Sequence, residues 1–178
     1  MSDMRQSGRQ YEIRTACVTV TDLGAFLGKL RSVMSGSDTT IICFNAGNMA
    51  GMRHARAALD HALRSFSGGS PIAKTLEMEA LLYAAGTRQC AEASVIAGIH
   101  EGENQVYVCC SPPRTEIWAM LEPLVQFTDD DWEDMSLEKM MQLCRLFSIS
   151  DAEIAAAGGM ERLCDLVIER VALLDACR

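Results

Sequence analysis

IICFNAGNMAGMRHARAALDHALRSFSGGSPIAKTLEMEALLYAAGTRQC, residues Ile41–Cys90, is the stretch whose reading decides the fold. Ile41 to Phe44 is a short apolar run bounded by turn residues, the pattern of a buried strand. Asn45, Gly47 and Asn48 then offer left-handed backbone positions and a helix cap, so a strand-to-helix turn is expected. From Met49 the apolar residues Met49, Met52, Ala55, Leu59, Ala62, Leu63 and Phe66 form one stripe of a helix about five turns long. Arg53, Arg56, Asp60 and Arg64 lie on its other face. Ser67, Gly68, Gly69, Ser70 and Pro71 make a turn that no helix continues through. A second helix begins near Thr75 and ends at Gly86, a favourable residue just past a helix end, and Thr87 caps a short third helix, Arg88–Ala97, that ends at Gly98.

Upstream, residues 1–10 read as a flexible lead, and YEIRTACVTV from Tyr11 alternates as a strand does. Thr21 and Asp22 can cap a helix whose Leu23, Phe26, Leu27, Leu30 and Met34 lie at helical spacing, and a loop over Ser35 to Asp38 returns the chain to the second strand, Thr39 to Phe44. Downstream, Val106 to Cys110 reads as a third strand stopped by Pro112 and Pro113. Thr115 to Gln126 is helical in pattern, with a kink or early end at Pro123. An acidic loop spans 127–135, its carboxylates running from Asp129 to Asp134, and residues 136–178 read as C-terminal helices. Ser136 caps the first of these; Ser150 and Glu153 form a capping box for the next. The last helix, Met160 to about Ala176, carries the stripe Leu163, Leu166, Val167, Val171 and Leu174, widened by Ile168 and Leu173. Apolar residues outside the main stripe point to contact with a partner, for which Leu163, Val167, Val171 and Leu174 are the candidates. Three strands alternating with about seven helices imply an α/β fold of the α+β type: one small mixed β-sheet covered by helices, in a single domain over 1–178. Strand order is not readable from this pattern.

At 178 residues the chain is long enough to bury about 70% of its unfolded surface without staples. Its net charge of −8 is unevenly placed: residues 1–120 hold eleven acidic and eleven basic side chains, residues 121–178 thirteen and five. A field this acidic repels nucleic acid, so RNA contact needs a local patch, and residues 45–90 offer five basic against three acidic side chains. The polar start, MSDMRQSGRQYEIR, lacks a signal-like apolar run and no later run approaches the ~20 apolar residues that cross a bilayer, so a cytoplasmic protein with reduced thiols is expected. The eight cysteines include no CxxC pair, and adjacent Cys109 and Cys110 point to opposite faces of a strand. They read as packing residues, with no metal and no cofactor expected.

The turn AGNMAG invites a phosphate-loop reading, but neither GxxxxGK[ST] nor GxGxxG is present, which favours a capped tight turn. Asn45 and Asn48 stay available there to a polar ligand, and a small-molecule-binding enzyme built around Asn45–Asn48 is the alternative function. His54 and His61 share a helix face but stand roughly 10 Å apart along it, too far for one metal. His100 is isolated; surface or interface roles suit all three histidines. Glu77 and Glu79 are about 200° apart around a helix, so they do not form an acid/base pair. Glu79 sits among apolar neighbours and needs a partner, for which Arg53 and Lys74 are the candidates. Thr87-Arg88-Gln89 sets a guanidinium and an amide at a helix start, a site for an anion or an RNA end. Ser94 and the cysteines lie in no nucleophile motif, and Asp129 to Asp131 lack the spaced ligands of a calcium loop and read as solvated.

The blocks ICFNAGNMAGMRHARAALDHALRSF and AKTLEMEALLYAAGTRQCAEASVIAGI, with the C-terminal pattern MSLEKMMQLCRLF…ERLCDLVIERV, resemble one family: the small kinase-binding subunit of the KEOPS complex, the PRPK-binding (TPRKB-like) proteins. The resemblance implies a non-catalytic, regulatory subunit of the assembly that makes threonylcarbamoyladenosine (t6A) at position 37 of tRNAs reading ANN codons. Its implied partners are the complex's atypical kinase/ATPase subunit, which family members bind and stimulate, and tRNA, whose 3′ CCA end they help to capture in archaeal-type complexes. The positions that match are Asn45, Asn48, His54, Lys74, Thr75, Glu79, Arg88 and Gln89. Joined by Arg53 from the basic helix face, Asn45, Asn48, His54, Lys74, Thr75, Arg88 and Gln89 are the candidate RNA-binding residues.

Overall fold

Alternating residues from Tyr11 form the first strand, β1 (Glu12–Val20), in a computed structural model that describes residues 10–176. The lead expected over 1–10 falls, but for Gln10, outside the described residues, as does Cys177. Helix α1 (Leu23–Met34) starts where the Asp22 carboxylate accepts the Ala25 amide at 2.7 Å, and it buries Phe26, Leu30 and Val33. Strand β2 (Thr40–Asn45) runs into a 3-10 turn, Ala46–Asn48, before α2 (Met52–Ser67). Then follow α3 (Leu76–Ala85), α4 (Cys90–Ala97), β3 (Gly102–Ser111), α5 (Thr115–Leu121), β4 (Gln126–Phe127), α6 (Leu137–Leu146), α7 (Asp151–Ala157) and α8 (Leu163–Ala176). The Ser150–Glu153 capping box at α7 is formed as the sequence predicts.

One small sheet covered by helices is the architecture, in the order β2-β3-β1-β4. Its pairings are antiparallel throughout, rather than mixed, because β3 returns between β1 and β2 and separates two strands that run the same way. The fourth strand is an addition to the sequence reading. Helix α5 stops before Pro123, and the chain beyond it pairs Gln126 and Phe127 with Cys17 and Ala16.

Each strand sends alternate side chains to opposite layers. Ile42, Phe44, Tyr107 and Cys109 face the layer that holds α2, α3 and the end of α8. Ala16, Val18, Val106, Val108 and Cys110 face α1 and α5. Cys109 and Cys110 therefore lie in different layers, both wholly buried. A third cluster, Leu143, Phe147, Ile149, Leu163 and Val167, ties α6 and α8 to Ala50.

Two expectations around the opening turn need correction. Helix α2 begins at Met52 and not at Met49, which is fully enclosed in the turn, and the left-handed residue is Gly51 at φ 96°, not Gly47 or either asparagine. The reason lies in the acidic loop. Glu133 accepts the first amide of α2, Met52 N–H, at 2.7 Å, and a Cβ on Gly51 would lie 2.4 Å from the other oxygen of that carboxylate. Asp129 to Asp131 are exposed, but the segment is not simply solvated. Trp132 is buried, its indole donates to the Val106 carbonyl at 3.3 Å, and the Tyr107 hydroxyl donates to the Asp131 carbonyl at 3.1 Å.

Candidate functional site

Strand β2 is one of the two outer strands of the sheet, and α1 and α3 flank its edge, leaving an apolar groove of about 260 Å³ between them. Leu27, Leu30, Met34, Met78, Leu81 and Ile99 form its walls. The edge backbone is partly satisfied from within: Ile41 N–H meets the Met34 sulfur at 3.1 Å. Thr75 sits at the rim, where its hydroxyl accepts the Met78 amide and starts α3. Lys74, next to it, is exposed.

The structure separates residues that the sequence grouped. Lys74 and Thr75 precede α3, whereas Arg88 and Gln89 follow it, and a helix of 10 residues holds its ends ~15 Å apart. Arg88 and Gln89 are exposed at the start of α4, where the Gln89 amide donates to the Thr87 hydroxyl and that hydroxyl donates to Glu92. An extended strand of RNA must run along α3 to touch both ends. Arg53 is committed elsewhere: it pairs with Asp165 of α8 at 2.9 Å, which raises the guanidinium's pKa and lowers that of the carboxyl. Asn48 ties three elements together, donating to the Ile96 carbonyl at 2.8 Å and accepting from Gln142. Asn45 accepts the Gly47 amide at 3.0 Å.

His54 cannot meet RNA, and it is not a surface histidine. It has no exposed area: Nδ1 accepts the Ala50 amide at 3.1 Å, Nε2–H donates to the Ala84 carbonyl at 2.8 Å, and the Phe147 ring stands edge-on at 5.4 Å. It is a fastener between the turn, α3 and the third cluster. Burial without a nearby anion disfavours the imidazolium and holds the pKa down at about 4. Because the unfolded chain's histidine takes up a proton near pH 6.5, the unfolded state binds more protons below that value. The contribution of His54 is therefore complete above pH 6.5 and falls as pH drops towards 4, by roughly 3 kcal/mol in all. Urea unfolding from pH 7.5 to 4.5 should show this loss, together with an His54 resonance that stays neutral above pH 5; a native His54 titrating near 6.5 would contradict the enclosure.

Glu79 likewise departs from expectation, since neither Arg53 nor Lys74 is its partner. It is fully buried and accepts from the Ser65 hydroxyl at 2.6 Å and from the Ile72 and Ala73 amides at 3.1 and 2.6 Å. The α8 stripe is corrected too. Leu163, Val167, Val171 and Leu174 are 2, 0, 0 and 5% exposed, packed into the core, so they are not a free partner surface. Exposed large apolar residues stand elsewhere: Val95 on α4 and Met120 on α5, at 80 and 49%, Leu137 and Met141 on α6, at 66 and 53%, and Leu173 on α8, at 46%. Leu137 and Met141 are four apart and so form one ridge, which sequence reading passes over although the spacing is visible there. Leu173, which with Ile168 widens the α8 stripe in the sequence, is exposed rather than packed.

Among the described residues no group of three or more His, Cys, Asp or Glu is placed to hold a metal ion, and no helix is long and apolar enough to cross a membrane. A family model described as kinase binding protein CGI-121 matches residues 20–175, which takes in every element from the end of β1 almost to the end of α8. No curated protein matches the chain.

Proposed function

The chain belongs to the CGI-121 family of kinase-binding proteins, and on that premise we propose that it is a regulatory, non-catalytic subunit that binds and stimulates the atypical kinase/ATPase of a KEOPS-type assembly. In that assembly it serves the t6A modification of tRNA. The observation that carries the kinase-binding reading is the family match over residues 20–175; the resemblance of the Ile41–Ile99 blocks to KEOPS small subunits supplies the assembly and the tRNA.

The α6 ridge is the docking surface for the kinase. Leu137 and Met141 together offer exposed apolar area on a regular helix, flanked by the exposed carboxylates of Asp134 and Glu138. A pair of apolar anchors with a charged rim is the usual anatomy of a protein interface. The RNA end lies in the groove beside Lys74 and Thr75: apolar walls accept an unstacked base, and Arg31 in the lining, with Lys74 next to Thr75, supplies local positive charge on an otherwise acidic chain. Arg88 and Gln89 extend the same track along α3.

One set of variants tests both surfaces. Leu137→Asp/Met141→Asp should keep the wild-type melting temperature yet lose at least a hundredfold in affinity for the kinase subunit, read by calorimetry; unchanged affinity would move the interface off α6. Lys74→Ala should weaken tRNA binding several-fold and flatten its salt dependence, while leaving kinase binding as it was. Equal binding of tRNA with and without its CCA end would remove the groove from the RNA reading.

A further inference from the structure

Strand β1 outruns its neighbour. β4 pairs with Ala16 and Cys17 alone, so Gln105, Cys17 and Gln126 stand in one row across β3, β1 and β4, side chains on the same face. Gln105 and Gln126 are exposed and Cys17 is half-buried, which means that the helical layer over this face stops short of the row. The turn after β2 walls it on one side, with Gln142 of α6 and Val95 of α4 beyond, and the whole encloses a cleft of about 760 Å³.

The polar groups of this cleft are set in direction. Asn45 is 8% exposed, and with its oxygen held by the Gly47 amide its Nδ2 has no protein partner among the described residues and is left as a donor to the cleft. Gln142 gives its amide nitrogen to Asn48, which leaves Oε1 as an acceptor. His100 donates from Nδ1 to the Glu101 carbonyl at 2.7 Å, so the neutral ring offers Nε2 as a second acceptor. Gln105 and Gln126, free of protein partners among the described residues, each carry a donor and an acceptor, and two strand spacings set them about 10 Å apart, with Cys17 between. No Lys or Arg lines the cleft, and Glu103 brings a negative charge to it.

A ligand for such a place is neutral, flat and able to donate and accept along its edges. Carboxamides match the edges of nucleobases in this way, Asn and Gln pairing with two adjacent base atoms at once, and Val95, 80% exposed, offers apolar contact to a ring face. Phosphate does not suit it, for want of a cation. We propose that this cleft binds the base of a nucleoside, without a contact to phosphate. The proposal is independent of the kinase and RNA-end surfaces above, and it gives a role to the Asn45 side of the turn that those surfaces leave unused.

The test is an NMR titration of the full chain with adenosine, guanosine, cytidine and uridine, following the side-chain amides. At least one nucleoside at millimolar concentration should shift Asn45, Gln105, Gln126 and Gln142. Its 5′-monophosphate should bind no tighter, and added salt should not weaken it. Gln105→Ala/Gln126→Ala, both at exposed positions, should keep the wild-type melting temperature and weaken binding about tenfold. A short single-stranded oligonucleotide then distinguishes the source: displacement of the nucleoside assigns the base to RNA, and nucleoside binding without displacement assigns it to the free metabolite, either outcome upholding the cleft. No shift at these amides, a tighter monophosphate, or full affinity in the double variant would overturn it.

Discussion

Val167→Asp should leave no cooperatively folded protein, whereas Leu173→Asp on the same helix should unfold at close to the wild-type urea concentration. Val167 has no exposed area and packs in the cluster with Leu143, Phe147, Leu163 and Ala50 that holds α6 and α8 to the turn before α2. A carboxylate placed there loses about 1.5–3 kcal/mol of apolar burial and adds the cost of an unpaired buried charge, several kcal/mol more. That sum is of the order of a domain's whole stability, about 5–15 kcal/mol. Leu173 is 46% exposed, and surface changes of this kind fall within about 0.5 kcal/mol. Circular dichroism and urea unfolding of the two variants read the difference directly. A wild-type midpoint for Val167→Asp would mean that α8 does not pack as described. The pair also guards the interface experiment: loss of kinase binding in Val167→Asp reports unfolding, whereas loss in Leu137→Asp/Met141→Asp, with unchanged melting, reports a surface.

What was legible in the sequence follows from the range of the forces involved. Periodicity and caps act within a few residues, so β1, β2, α1, α3 and the Ser136 and Ser150 caps are readable from the chain. Strand β4 was hidden because two residues carry no period, and their pairing depends on the edge of β1 at Ala16 and Cys17, more than a hundred residues away. The start of α2 was misplaced for a similar reason: its cap is Glu133, 81 positions from Met52, and no local pattern announces it. At the candidate sites the same limit applies. A histidine on a helix between Arg53 and Ala55 looks available in the sequence, and only the arrival of Ala84 and Phe147 from other elements closes it off. The apolar stripe of α8 was legible as a stripe, but amphipathic helices bury their stripes first, and the large apolar residues left exposed include others, on α6 as well as α8. Lys74 and Arg88 look adjacent in a basic segment until the length of α3 is counted.

Glu79→Ala should cost on the order of 4 kcal/mol, the second large loss available in this chain and one that reaches the groove rim at Lys74 and Thr75, where the RNA end is proposed to lie. The Glu79 carboxylate is wholly buried and is held by donors alone: Oε1 accepts from the Ser65 hydroxyl and the Ile72 amide, Oε2 from the Ala73 amide. Those donors come from the last turns of α2 and from the loop that leads to Lys74 and Thr75, so one side chain of α3 fixes the path of that loop. Hydrogen bonds to a charged acceptor are worth about 1.5–3 kcal/mol each, and removing the acceptor leaves two backbone N–H groups with nothing in its place. Glu79→Gln keeps one acceptor oxygen but turns an NH₂ towards a donor, and should cost about half as much. Ser65→Ala removes one donor of the set and should cost about 2 kcal/mol. Lys74→Ala, by contrast, should not change stability, because Lys74 is not the partner of this carboxylate. Hydrogen exchange gives the site-specific reading: the Ile72 and Ala73 amides should be protected in the wild-type protein and exchange about a hundredfold faster or more in Glu79→Ala. Because Lys74 follows directly on that loop, tRNA affinity should fall in Glu79→Ala even at temperatures where the fold is intact, and protected amides with wild-type stability in that variant would refute the carboxylate's role.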